Sequence, residues 1–107
     1  MATYFMQGKY TSEGLKGLIK EGGTARNEAV TKLVSSLGGS LRSLNFAATS
    51  PTWFVVADLP ERGSAAAITA TIVASGAVTV DQVFEILTPA QMDEAMKKMP
   101  TYRPPGR

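Results

Sequence analysis

The chain has 107 residues, of which 44% are hydrophobic and 19% charged, a mixture typical of a single globular domain. It contains no histidine and no cysteine, which excludes disulfides, thiolate catalysis, histidine-ligated haem and cysteine-type zinc sites. The net charge is +2, and the excess comes from basic residues near the C-terminal end, so we expect no nucleic-acid partner, no metal and no cofactor.

The beginning of the chain carries no recognisable targeting signal. Residues 1–6 lack a basic segment followed by an apolar core, and no apolar run approaches the roughly 18 residues of a membrane span. The expectation is a soluble, cytoplasmic protein that makes no contact with a membrane.

The first half of the chain predicts a strand, two short helices and a second strand. Leu15, Leu18 and Ile19 have helical spacing, Gly22 and Gly23 interrupt the pattern, and a longer helical stripe then runs to a glycine pair. The predicted elements are a strand at residues 3–10, a helix capped by Thr11 or Ser12, a helix from Thr24 to Leu37 ended by Gly38-Gly39, and a strand at residues 41–49.

The stretch Thr52–Leu59 is apolar at consecutive positions, which is typical of a strand covered on both faces. Trp53 and Val55 lie on one face and Phe54 and Val56 on the other. The helices of this chain can cover only one face. We expect a second copy of the sheet to cover the face of Trp53 and Val55.

The second half predicts a helix, a strand and a final helix. Thr88 is an expected N-cap, because Pro89 follows at the first helical position and Gln91 can close a capping box. The predicted elements are a helix at residues 65–74, a strand at residues 77–87 with Val78, Val80, Phe84 and Ile86 in step, a helix at residues 89–98 with a docking stripe of Met92, Met96 and Met99, and an extended tail at residues 101–107.

This element order predicts an α+β, ferredoxin-like β-α-β-β-α-β fold with an antiparallel sheet and an extra C-terminal helix. Residues 1–100 form the single domain. A hairpin between the second and third strands, with right-handed crossovers, places the first and third strands in the middle. The bare sheet predicts a homodimer or higher homo-oligomer joined sheet to sheet, as a dimeric α/β barrel closed by two protomers.

Short motifs spread over residues 3–98 resemble the small bacterial GYD-domain family. The matching motifs include Gly8-Lys9-Tyr10-Thr11, Gly22-Gly23-Thr24-Ala25-Arg26, Ser36-Leu37-Gly38-Gly39, Asp58-Leu59-Pro60 and Leu87-Thr88-Pro89. The resemblance implies a ferredoxin-like dimeric α/β barrel and no particular activity. The Gly-Tyr-Asp triplet that names the family falls on Ser50-Pro51-Thr52, so no role of that tyrosine or carboxylate is carried over.

Asn45 and Trp53 form one candidate site. An amide that holds an oxyanion or peroxide, beside an indole, would suit metal-free oxidation of an electron-rich aromatic substrate. The alternative is that Trp53 belongs to the core or an interface and Asn45 faces solvent, so no catalytic residue is assigned.

A second set of candidates would bind a ligand. Glycine amides at the start of the second helix, joined by the Arg26 guanidinium, can bind phosphate or carboxylate, although two glycines before a helix are more often only a bend. Tyr4, Lys9 and Tyr10 on the first strand could line a cleft, or could pack structurally.

Three functions remain open from the sequence. The first is a homo-oligomeric, non-catalytic domain, or one that binds a small ligand between or beside the sheets. The second is a cofactor-independent monooxygenase or isomerase that acts on a small aromatic substrate inside the barrel. The third is a purely structural or interaction protein, whose barrel would be packed solid.

Overall fold

The structure is a computed structural model that describes residues 1–107 as four strands and four helices. The elements are β1 (Ala2–Tyr10), α1 (Ser12–Glu21), α2 (Gly23–Ser36), β2 (Ser40–Phe46), β3 (Thr52–Leu59), α3 (Arg62–Ala74), β4 (Val78–Ile86) and α4 (Pro89–Met96).

The four strands form one antiparallel sheet in the order β2-β3-β1-β4. This is the strand order of a ferredoxin-like fold, with β1 and β3 central, and it confirms the α+β class predicted from the element order. The sheet is open rather than closed on itself. Helices α2 and α3 pack against one of its faces.

The two faces of β3 are reversed relative to the prediction. Trp53 and Val55 are buried against the helices, in a core completed by Leu59, Val34 and Ile68. Phe54 and Val56, which alternate with them, point away from the helices and are only partly buried. The expectation that a second sheet covers Trp53 and Val55 is therefore wrong. A run of apolar residues shows that both faces of the strand are apolar, but the alternation of side chains along a strand does not indicate which face meets the helices.

A β-bulge changes the side on which β4 side chains lie. Val80 pairs with Gly8 and Phe84 pairs with Phe5, and the register shifts between Gln7 and Gly8. One extra residue in a strand inverts the alternation beyond it. The row predicted to be in step is consequently divided, with Val80 on the helix side and Phe84 on the opposite side. A second register shift lies on β2, between Leu41 and Ser43.

The face of the sheet opposite the helices, called the open face here, carries an aromatic cluster. The Phe5 ring stacks on Phe84 with centroids 5.2 Å apart and lies 6.4 Å from Phe54. Val56 and Ile86 flank these rings on the same face. No helix covers the cluster, and Phe84 is 47% exposed. Apolar area of this kind is thus left in water by the single chain.

A network of polar side chains lies at one end of the open face. The Asp58 carboxylate accepts a hydrogen bond from Arg42 Nε at 2.7 Å and another from the Thr3 hydroxyl at 2.5 Å. These two bonds, first that of Arg42 and then that of Thr3, lower the pKa of Asp58 below its ordinary value of 3.8. The network links side chains from three adjacent strands, β2, β3 and β1.

Acid should weaken the fold through this carboxylate. Folding lowers the pKa of Asp58, so its ionised form stabilises the protein at pH values above the unfolded-state pKa near 3.8. This stabilisation is lost as the pH falls through and below that pKa. Asp58→Asn should thus be less stable than the original protein at pH 7 by a margin that narrows at pH 3. Urea unfolding at both pH values measures the margin. Asp93→Asn, on exposed α4, is the control, and a margin for Asp58→Asn independent of pH would contradict the assignment.

Helix α4 projects from the domain. Its N-terminus has the predicted capping box, in which the Thr88 hydroxyl and the Gln91 side chain each bond the other residue's backbone N–H. None of its residues is buried, and Met92 and Met96 are 48% and 45% exposed. The radius of gyration is 16.9 Å, against about 13 Å for a compact domain of this length. No helix of the chain is long and apolar enough to cross a membrane.

Candidate functional site

The main pocket lies between the helices and the helix-facing side of the sheet. Its cavity volume is about 100 Å³, and 13 of its 15 lining residues are hydrophobic. β1 and β3 supply the floor with Met6 and Val55, while α2 and α3 supply Val30 and Ile72. Because a water molecule needs about 10–15 Å³ on this measure, the space admits roughly seven to ten non-hydrogen atoms.

Besides Ser75, three side chains with polar groups line this apolar space, and each comes from a different element. Tyr10 is the last residue of β1, Trp53 lies near the start of β3, and Arg26 belongs to the first turn of α2. Gly22 has a φ of 89°, a conformation that glycine adopts readily, and it turns the chain from α1 into α2. This turn determines where Arg26 lies. The turn thus brings a guanidinium to the ends of two central strands.

The Arg26 side chain is held beside a carboxylate without using all its donors. Its Nε lies 2.7 Å from Glu21 Oε2, and both side chains are about one-third exposed. That N–H nevertheless makes no hydrogen bond, because the bond does not point at the oxygen. Helix α2 also begins at Gly23 without a side-chain cap. The arginine end of the pocket therefore has unused hydrogen-bond donors.

Trp53, deeper in the fold, also carries a hydrogen-bond donor that makes no hydrogen bond. It is 4% exposed, and its Nε1–H has no hydrogen-bond partner. A buried donor without an acceptor costs about 1–3 kcal/mol. A buried tryptophan usually finds an acceptor for this group, so the unpaired indole is an unusual feature of the pocket.

Tyr10 contributes a phenol at the edge of the pocket. Burial raises its pKa, the positive charge of Arg26 opposes that shift, and the negative charge of Glu21 adds to it. The phenol is consequently protonated at neutral pH and can donate a hydrogen bond. Its ring stacks on Phe46 with centroids 6.4 Å apart.

The structure brings together some of the predicted site residues and separates others. Tyr10, Arg26 and Trp53 line the pocket, whereas Tyr4 is buried in the core beside it. Lys9 is exposed and pairs with Thr52 on the open face.

The proposed pair of Asn45 and Trp53 does not form. Asn45 pairs with Phe54, and the next residue, Phe46, pairs with Trp53. Neighbouring residues of a strand point to opposite faces, so the amide lies on the open face and the indole on the helix side. An oxyanion or peroxide held by Asn45 would be separated from Trp53 by the sheet.

Sequence reasoning missed the contribution of Glu21 and Phe46 to this end of the pocket. The position of Glu21 just before Gly22 was the available signal, since a turn there returns the next helix past it. The structure contains no group of three or more acidic side chains that could hold a metal ion.

Comparison with known proteins assigns a family and nothing more specific. The family model described as GYD domain matches residues 4–96, which is most of the chain. No curated protein and no solved structure matches.

Proposed function

The chain belongs to the GYD-domain family, and on that premise we propose that it is a non-catalytic, homo-oligomeric domain that binds a small ligand beside its sheet. The observation that carries the ligand-binding role is the apolar pocket with unpaired donors, above all the buried Trp53 Nε1–H. A ligand acceptor would satisfy donors that the protein leaves without partners.

The polar groups of the pocket favour binding over catalysis. The Arg26 guanidinium, the Tyr10 phenol and the Trp53 indole are all hydrogen-bond donors at neutral pH, and Glu21 is paired with Arg26. A general base aimed at the cavity is missing from this set. The monooxygenase or isomerase alternative loses support because Asn45 lies across the sheet, and the purely structural alternative loses support from the cavity.

A second copy of the chain is the proposed cover for the open face. Phe5, Phe54, Val56 and Phe84 form an apolar surface on the side that no helix covers. Burying a side chain of this kind contributes about 1.5–3 kcal/mol. A two-fold axis between two facing sheets would bring the same cluster from each protomer together, as in a dimeric α/β barrel.

Helix α4 adds to the surface offered to a second copy. Met92 and Met96 form a stripe on the helix, Met99 follows beyond its last residue, and all three side chains are at least 45% exposed. The helix makes no extensive contact with other elements of its own chain. Thioether side chains adapt to irregular apolar surfaces, so this stripe suits docking on a neighbouring protomer.

A ligand screen tests the binding role. We expect small amphipathic molecules to raise the melting temperature and to change the fluorescence of Trp53, the single tryptophan of the chain. Val30→Phe, which fills part of the pocket, should abolish both responses. Val73→Phe, at an exposed position of α3 outside the pocket, should retain them. A broad screen that changes neither signal would contradict the proposal.

A further inference from the structure

We propose that the ligand of the pocket is a small monocarboxylic acid, with its carboxylate at Arg26 and Tyr10 and its apolar body in the cavity. This inference rests on the proposed ligand-binding function and names its chemical class. The cavity admits an apolar group about the size of one aromatic ring or a six-carbon chain.

The hydrogen-bonding groups of the pocket are mainly donors, so they favour a ligand whose polar end accepts hydrogen bonds. The Trp53 Nε1–H has no partner, the Arg26 Nε–H makes no aligned hydrogen bond to the nearby Glu21, and the Tyr10 phenol, whose pKa burial raises further, is a donor at neutral pH. Ser75, the remaining polar lining residue, is already occupied, since its hydroxyl donates to Ile72 O and accepts from the Ala77 N–H. An amine or other donor would find only the Tyr10 hydroxyl oxygen and the already paired Glu21 carboxylate as side-chain acceptors.

The charge of the residues that line the pocket favours a ligand with a single negative charge. Arg26 is the one cationic side chain that lines the pocket, and it is only about one-third exposed. Charge-assisted hydrogen bonds between a guanidinium and a carboxylate are among the strongest in proteins, and they are often bidentate. A phosphate dianion would bring a second charge to an apolar site that has one compensating group, which carries a large desolvation cost. The arrangement thus favours a carboxylate over a phosphate.

Glu21 would compete with the ligand for Arg26. Its Oε2 lies 2.7 Å from Arg26 Nε but not in line with the N–H bond, so a ligand carboxylate can take the better-aligned donor. The two negative charges would then share one guanidinium. Removing the charge of Glu21 should for this reason strengthen binding of an acid, which is the opposite of what loss of a structural ion pair would do.

Two acids and their neutral amides provide the test. Benzoate and hexanoate, compared with benzamide and hexanamide, are titrated against the full chain while Trp53 fluorescence and its single indole N–H resonance are recorded. We expect the acids to bind more tightly than the amides. Arg26→Met should weaken acid binding roughly 10- to 100-fold and leave amide binding unchanged. Arg62→Met, at an exposed position outside the pocket, is the matched control.

Two further variants separate the chemistry from folding. Glu21→Gln should tighten acid binding several-fold, and Tyr10→Phe should weaken binding of the acids more than binding of the amides, whose neutral carbonyl is the weaker acceptor. If Arg26→Met unfolds, Glu21→Gln still decides the question. Equal affinity for acids and amides, equal affinity for inorganic phosphate, or no gain in Glu21→Gln would overturn the carboxylate assignment while leaving the ligand-binding function intact. Failure of every probe, together with an unresponsive general screen, would instead remove the function itself.

Discussion

Phe54→Lys is expected to convert the proposed dimer into a monomer, because Phe54 lies on a central strand in the middle of the open face. The position is only partly buried in the single chain and is not part of the helix-side core, so the protomer should still fold. In a two-fold interface the new charge appears twice, and each unpaired buried charge costs on the order of 3–5 kcal/mol.

Sedimentation or light scattering at micromolar concentration measures this result. The unaltered chain should have twice the 11.3 kDa mass of one protomer, and Phe54→Lys should have the protomer mass. Val73→Lys is the control, since Val73 is 45% exposed on α3 and lies on the helix side. A monomeric original protein would rule out the sheet-to-sheet dimer, and a dimeric Phe54→Lys would place the interface elsewhere.

Gly8→Ala should strongly destabilise the protein, because Gly8 is the one glycine within a strand and its neighbours approach it closely. An added Cβ at this position would lie 1.9 Å from Thr79 O and 2.6 Å from Trp53 Cζ2. The first neighbour is backbone at the β4 bulge and the second is a buried ring, so neither can move away cheaply. Overpacking of this kind costs about 3 kcal/mol, which corresponds to a fall of roughly 12–24 °C in melting temperature.

Gly17→Ala provides the comparison for this prediction. A Cβ at Gly17 meets nothing within 4 Å, and the residue lies inside α1. Alanine there should stabilise the fold by about 0.5–1 kcal/mol. Thermal melts at one fixed protein concentration report both variants, and similar shifts for the two would show that the close approach of β1, β4 and Trp53 does not limit the fold.

The fold was predictable because its signals are local. The capping box at Thr88 and the glycine that ends the second helix at Gly38 each depend on a few neighbouring residues, and the order of elements leaves few possible sheets. The faces were not predictable in the same way. The direction of Phe84 depends on a bulge near Gly8, which is set by pairing between distant segments.

The site was predictable residue by residue but not as a set. Tyr10, Arg26 and Trp53 were each identified from the sequence as candidates, for different reasons and in different groups. They share a pocket because β1 and β3 are adjacent and the turn at Gly22 returns α2 across their ends. Asn45 and Trp53 lie on adjacent strands, but Asn45 is paired with Phe54, the neighbour of Trp53, so the two side chains point to opposite faces of the sheet.

The projecting position of α4 has a consequence for how the end of the chain folds. It has only eight residues, and isolated helices shorter than about 12–15 residues are marginal in water. Since its own domain supplies little packing, we expect the proposed contact with a second copy of the chain to stabilise the helix. Helical order at the C-terminus and self-association should then be one coupled equilibrium, so diluting the protein would melt this segment while the sheet stays intact.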